Sequence, residues 1–273
     1  LAQMTENTEI TGPVVLILGS GPAAIAVRGW DRSVFDQIVA INNAWRLRPD
    51  WDVSIHPEDF PPEHRPPALA PDQSRIVADD YVPIQNAYGG FIYAGGTMAF
   101  TAGYWALGAL KPRVMAFFGC DMVYAATGRT HFYGTGTADP LRADITLQSL
   151  EAKAARLQLL AAEQGCACVN LSMQDSRLVF PRAGLDDLAN AAPLRTDASA
   201  VGIAKAREAE LDYVVPSGRY WQEADRFDAT ALADLDALWL AAHAATLRTA
   251  QAHETPSPTR RPGAVASGFR RGA

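Results

Sequence analysis

The stretch Val14-Val15-Leu16-Ile17-Leu18-Gly19-Ser20-Gly21-Pro22-Ala23-Ala24 decides the fold. A short, largely β-branched apolar run bounded by glycine predicts a strand buried on both faces, the habit of parallel sheets. Gly19 to Ala24 fit G-x-G-x-x-A directly after that strand, and Pro22 suits the first turn of a following helix. In such a unit the glycines admit a tight turn, while backbone N–H groups and the helix dipole face an anion. The same spacing also serves a turn that is structural only, so on its residues alone the segment is either an anion cradle or a plain turn.

Outward from this run, similar short apolar segments predict strands at 37–41, 51–55, 75–78, 113–118 and 167–171. Helical spacing is read at 97–110, and at 147–164, where Leu150, Ala154, Leu157 and Leu160 share a face. Strands alternating with helices predict an α/β fold: a doubly wound, mostly parallel Rossmann-like sheet flanked by helices. The proline-crowded stretch 57–73 excludes helix and central strand, which makes it a surface loop and a candidate rim of a site. After Pro181 the pattern turns polar and Ala-rich, with a helix expected at 229–245 whose apolar face is Leu232, Leu235, Leu238 and Leu240. The organisation expected is therefore a Rossmann-like nucleotide-binding catalytic domain at 1–182, a helical extension at 183–252 packed on the core, and a disordered tail at 253–273.

Composition bounds the function. With 48% hydrophobic and 20% charged residues the chain can bury a sizeable core, and its net charge of -6 carries no basic stripe for a nucleic-acid partner. No apolar run approaches the roughly 20 residues that span a bilayer, and the opening residues lack a signal-peptide pattern, so a cytoplasmic location is expected. Peripheral contact with an anionic membrane is expected at most through Arg260, Arg261, Arg270 and Arg271 of the tail; a homo-oligomer stays open. Cys120, Cys166 and Cys168 are too few for a disulfide framework and read as reduced core thiols.

Polar residues at strand ends carry the candidate chemistry. A dinucleotide enzyme offers Asp or Glu after its second strand to hold the ribose hydroxyls; here that place has Asn42 and Asn43. An amide both donates and accepts, so it can hold a ribose or a base edge without negative charge. A strand ending in Gly119-Cys120-Asp121-Met122-Val123-Tyr124 is followed by the Gly/Thr-rich run Arg129-Thr130-His131-Phe132-Tyr133-Gly134-Thr135-Gly136-Thr137. Ligands of doubly wound sheets bind at the carboxyl ends of strands, which groups Asp121, Tyr124 and His131 with Ser20 and Asn43. His131 has the pKa range of a general base, and Tyr124 or Tyr133 is suited to donate to a departing phosphate oxygen. Thr97 is an N-cap or a ligand contact, and Arg219, Tyr220 and Trp221 either line an acceptor pocket or staple the extension to the core. No second carboxylate completes a metal pair with Asp121, so no metal site is expected.

In this order the segments resemble the small bacterial sialyltransferases that use CMP-sialic acid to decorate lipooligosaccharide. They resemble more distantly the motility-accessory and 6-hydroxymethylpterin diphosphokinase-like proteins. Gly19-Ser20-Gly21-Pro22 is similar to that family's G-N-G-P turn, Asn42–Trp45 to its C-N-Q-F segment, and Gly119–Tyr124 to G-I-D-[FL]-Y with one residue more. His131-Phe132-Tyr133-Gly134, followed by Asp144, Leu150 and Glu151, resembles H-Y-I-G…D…A-L-E, and Cys168–Ser172 resembles the closing strand. The resemblance spans about residues 14–182. It implies inverting transfer of a sugar from a CMP-activated donor to a glycan acceptor, with no cofactor or metal required. His131 would then be the base, Tyr124 the donor to the leaving phosphate, and Gly19, Ser20, Gly21, Asn43, Thr97 and Ser172 nucleotide contacts. Two other readings stand beside it. One is a Mg-dependent pterin or nucleotide pyrophosphokinase that gathers Asp79, Asp80 and Asp121; the other is a non-catalytic nucleotide-binding module.

Overall fold

A computed structural model describes residues 11–125, 127–136 and 143–254. The expected tail from residue 255 onward, its arginines, and Thr137 of the Gly/Thr-rich run lie outside these. Six parallel strands form one sheet in the order β4-β3-β2-β1-β5-β6, with β1 Val14–Leu18, β2 Gln37–Ile41, β3 Val53–Ile55, β4 Ser74–Ile76, β5 Val114–Phe118 and β6 Ala167–Asn170. The chain is thus a doubly wound α/β fold. From β1 it winds outward to β4, then returns to lay β5 along the other side of β1. That reversal opens a crevice above the carboxyl ends of β1 and β5, the position at which open α/β sheets take ligands.

Side chains of each strand alternate between two faces. Val15, Ile17, Val39, Ile41, Met115 and Phe117 point into one core, closed by the helices α1 Ala78–Ala87, α2 Phe91–Ala94, α3 Met98–Ala109 and α4 Leu150–Glu163. Leu150, Ala154, Leu157 and Leu160 are buried there as the helical spacing requires. Leu16, Leu18, Ile38, Ala40, Ala116 and Phe118 point into a second core, which no α-helix among the described residues covers. Its cover is a set of short 3-10 turns and irregular chain that supplies Ala24, Val27, Phe35, Leu47 and Trp51.

The segment after the cradle corrects the sequence reading. Pro22–Gly29 is a 3-10 helix, and its buried residues, Ala24 and Val27, are three apart. A three-residue turn stacks positions i and i+3 on one line, so this burial pattern fits 3-10 geometry better than α geometry. The strong α-helical dipole expected over the cradle is therefore missing.

Beyond residue 182, α6 Ala229–Glu254 docks on α4, and α5 Ala198–Leu211 packs against α6. The face that α6 buries is Leu232, Leu235, Trp239 and Ala242, whereas Leu240 stays 38% exposed, against the expected Leu240 face. Polar groups fix the docking: Lys153 Nζ binds Asp236 Oδ1 at 2.8 Å, Arg156 grips Glu208 through two hydrogen bonds, and His243 Nε2 meets Gln158 Oε1 at 2.8 Å. The three cysteines are free and buried. Among the described residues no helix is long and apolar enough to cross a membrane.

Candidate functional site

The ends of β1 and β5 are drawn together by backbone contact. Gly19 N–H donates to Phe118 O at 2.8 Å and Gly21 N–H to Gly119 O at 2.9 Å. A Cβ on Gly19 would stand 2.3 Å from Gly119 O, and one on Gly119, whose φ is +69, would stand 2.7 Å from the Ala24 Cβ. The glycines therefore answer first to the close approach of two loops. Two of the cradle amides are spent on it, and Pro22 has none. Ser20 and Ala23 keep backbone N–H groups that meet no acceptor among the described residues.

Above these loops opens a cavity of about 1680 Å³, lined by Gly19, Ser20, Gly21, Asn42, Asn43, Thr97, Asp121, Tyr124 and His131 among others. Residues read from five separate segments of the sequence thus share one space. Asn42 follows β2 with φ 52, a left-handed conformation that asparagine tolerates. Asn43 is 5% exposed, and the Oδ1 atoms of both side chains are buried with no hydrogen-bond partner. Buried carbonyl acceptors without donors cost about 1–3 kcal/mol each, so a pair of them on a cavity wall fits a ligand that brings hydroxyl or amino hydrogens. Met122, after β5, also has positive φ, 53, which is unusual for a long side chain and concentrates backbone strain at the same rim.

His131 sits on a loop that returns over the cradle: Phe132 N–H donates to Ser20 O at 3.0 Å, and His131 and Gly134 exchange backbone hydrogen bonds. The imidazole stacks on Tyr133 with centroids 4.9 Å apart and lies 6.0 Å from the Tyr124 ring. Its Nδ1 is 2.8 Å from Thr130 Oγ1, which also accepts Gly136 N–H at 2.9 Å and lies 3.2 Å from Gly136 O. A hydroxyl carries one proton. When that proton goes to Gly136 O, Nδ1–H donates to Oγ1 and the ring's lone pair sits on Nε2, the tautomer a base at Nε2 requires. Burial pushes the Tyr133 phenol up, while the adjacent Asn43 side chain pulls it the other way.

The remaining residues are placed as follows. Asp121 is mostly covered; its Oδ1 accepts from Asn170 Nδ2 at 3.4 Å and lies 3.9 Å from Arg182. Thr97 heads α3 but makes no side-chain cap bond; among the described residues its hydroxyl meets only the Met122 sulfur, at 3.9 Å, so capping does not account for it. Ser172 is fully buried and not on the cavity wall: its hydroxyl accepts Gln174 N–H, which fixes the turn after β6. Asp80 is taken up at the start of α1, accepting Val77 N–H at 2.9 Å. Among the described residues no group of three His, Cys, Asp or Glu side chains could hold a metal ion. The chain matches no family model, no curated protein and no solved structure. Its site must therefore be read from its own chemistry.

Tyr81 and Phe91 also line the cavity, although no pattern in the sequence marks them. The proline-rich loop does contribute its rim, through Pro57–Pro61, and Arg219, Tyr220 and Trp221 of the extension complete the far side.

Proposed function

We propose that the chain is an inverting glycosyltransferase that takes a CMP-activated sugar, with His131 as general base. The observation that carries this reading is the cavity shared by His131 and Tyr124 with the unpartnered Oδ1 atoms of Asn42 and Asn43. In the proposed step His131 Nε2 takes the proton of an acceptor hydroxyl, and that oxygen attacks the anomeric carbon. The bond to the CMP phosphate oxygen breaks with both electrons on the phosphate, where Tyr124 donates to the growing charge. Donors aimed at developing charge are what such a displacement requires. The Asn42 and Asn43 oxygens are suited to ribose hydroxyls or an exocyclic amine, a role for which no carboxylate stands after β2. The Ser20 and Ala23 amides supply N–H groups for the phosphate.

The pyrophosphokinase alternative calls for Asp79, Asp80 and Asp121 to converge, and Asp80 is committed to α1. Thermal-shift measurements with CMP, CDP, UDP, GDP, NAD, and ATP with and without Mg²⁺ test the reading. Stabilisation by CMP and EDTA-resistant turnover of a CMP-sugar are expected. A response to ATP with Mg²⁺ alone would overturn it.

A further inference from the structure

The cavity extends well past the residues used above. Its volume of about 1680 Å³ exceeds the roughly 300–1,000 Å³ of a site for one ligand. The far wall is a linked aromatic and charged set. Tyr81 meets Phe91 edge-on with centroids 6.3 Å apart, Phe91 lies 6.1 Å from Tyr220, and Trp221 stands edge-on to Tyr220 at 5.5 Å. Tyr220 is held in place, its hydroxyl donating to Asp144 Oδ2 at 2.7 Å, while Asp144 Oδ1 takes the Thr146 backbone and hydroxyl hydrogens. Arg219 Nη2 reaches Glu58 Oε2 at 3.5 Å, which joins the extension to the proline-rich loop.

Trp221 lies on this wall and is 60% exposed. An indole fixed by its neighbour but left in water at a cavity wall is a platform for the apolar face of a ring, and carboxylates lining the same cavity accept hydroxyl hydrogens. On the segments that carry this wall, Glu58, Asp59, Asp79 and Asp144 stand against Arg219, while the other arginine lining the cavity, Arg129, belongs to the His131 loop. Such a field repels an anion. We propose that this wall is a second-substrate subsite for a hydroxyl-rich, non-anionic sugar whose pyranose face rests on Trp221. Only the name acceptor for that sugar rests on the transferase reading; the binding itself does not.

The full chain is titrated with methyl β-glucopyranoside and with the matching methyl glucuronide, which differs by a carboxylate, and binding is followed by saturation-transfer NMR. The glucoside is expected to bind at millimolar concentration and the glucuronide about tenfold more weakly. Trp221→Ala, a change at an exposed side chain, should weaken the glucoside by about threefold or more with an unchanged melting temperature. Asp59→Asn should narrow the discrimination against the glucuronide. Equal or tighter glucuronide binding, an unaffected Trp221→Ala, or no glucoside binding would overturn the inference. CMP is titrated in parallel: CMP binding without sugar binding sinks the subsite and leaves the donor reading, and the reverse result does the opposite.

Discussion

Gly19→Ala tests what the glycine signature is for. The new Cβ would stand 2.3 Å from Gly119 O and 2.7 Å from Cys120 Sγ. The first neighbour is backbone, pinned by the hydrogen bonds Gly19 N–H to Phe118 O and Gly21 N–H to Gly119 O. No flexible side-chain end can swing away, so β1 and β5 must part locally. Overpacking costs about 1–3 kcal/mol, and a fixed backbone neighbour puts this site near the upper end, about 3 kcal/mol. For a chain of this size that is a fall in Tm of about 6–12 °C. Gly21→Ala meets the same carbonyl at 3.0 Å, where a few tenths of an ångström of movement suffice, and should cost less than about 1 kcal/mol. Both variants are melted by calorimetry without ligand. If Gly19→Ala melts within about 2 °C of the parent, or if the two variants lose equally, the close approach of the two loops is not what demands glycine at position 19.

Three further outcomes follow from other parts of the structure. Lys153→Met leaves the Asp236 carboxylate buried with its Oδ2 already unpartnered; urea unfolding should show a loss of about 3–5 kcal/mol, most of it recovered in Lys153→Met/Asp236→Leu. His131→Ala should lower CMP-sugar turnover by about 100-fold or more with CMP affinity retained, and Thr130→Val should shift the imidazole toward its other tautomer by ¹⁵N NMR, while Thr130→Ser should not. Burial holds the His243 pKa below the ordinary 6.5, so below about pH 6.5 the unfolded chain takes up a proton that the native chain resists, and stability falls as pH falls. The Tm advantage of the parent over His243→Phe should therefore shrink between about pH 7.5 and 5.5, and an advantage that grows would contradict the burial.

What was legible in the sequence follows the range of the interactions involved. β1 and β2 have the boundaries their apolar runs predict, because a strand buried on both faces needs no partner to declare itself. α1 went unread because Pro83 lies inside it, and α5 because only Val201 and Ala204 of its fourteen residues are buried, too few for a periodic face. α2 is a four-residue turn between Gly90 and Gly95, both at positive φ. At the site, Ser20, Asn43, Asp121 and His131 could be grouped because each follows a strand that ends at one edge of the sheet. Of the aromatic wall, Tyr220 and Trp221 could be read only as either pocket lining or a staple, and Tyr81 and Phe91 carried no such signal. The wall is assembled by contacts between distant parts of the chain: Tyr220 reaches Asp144 76 residues away, and Asn86 Nδ2 binds Pro216 O across 130. Those contacts exist because the extension is anchored elsewhere, with Tyr93 donating to Glu208 O and accepting Tyr213 N–H, and Tyr213 packing edge-on against Phe227. The anchor sets where Arg219, Tyr220 and Trp221 emerge, so weakening it, as in Tyr93→Phe, should loosen the far wall of the cavity while leaving the β1–β5 crevice in place.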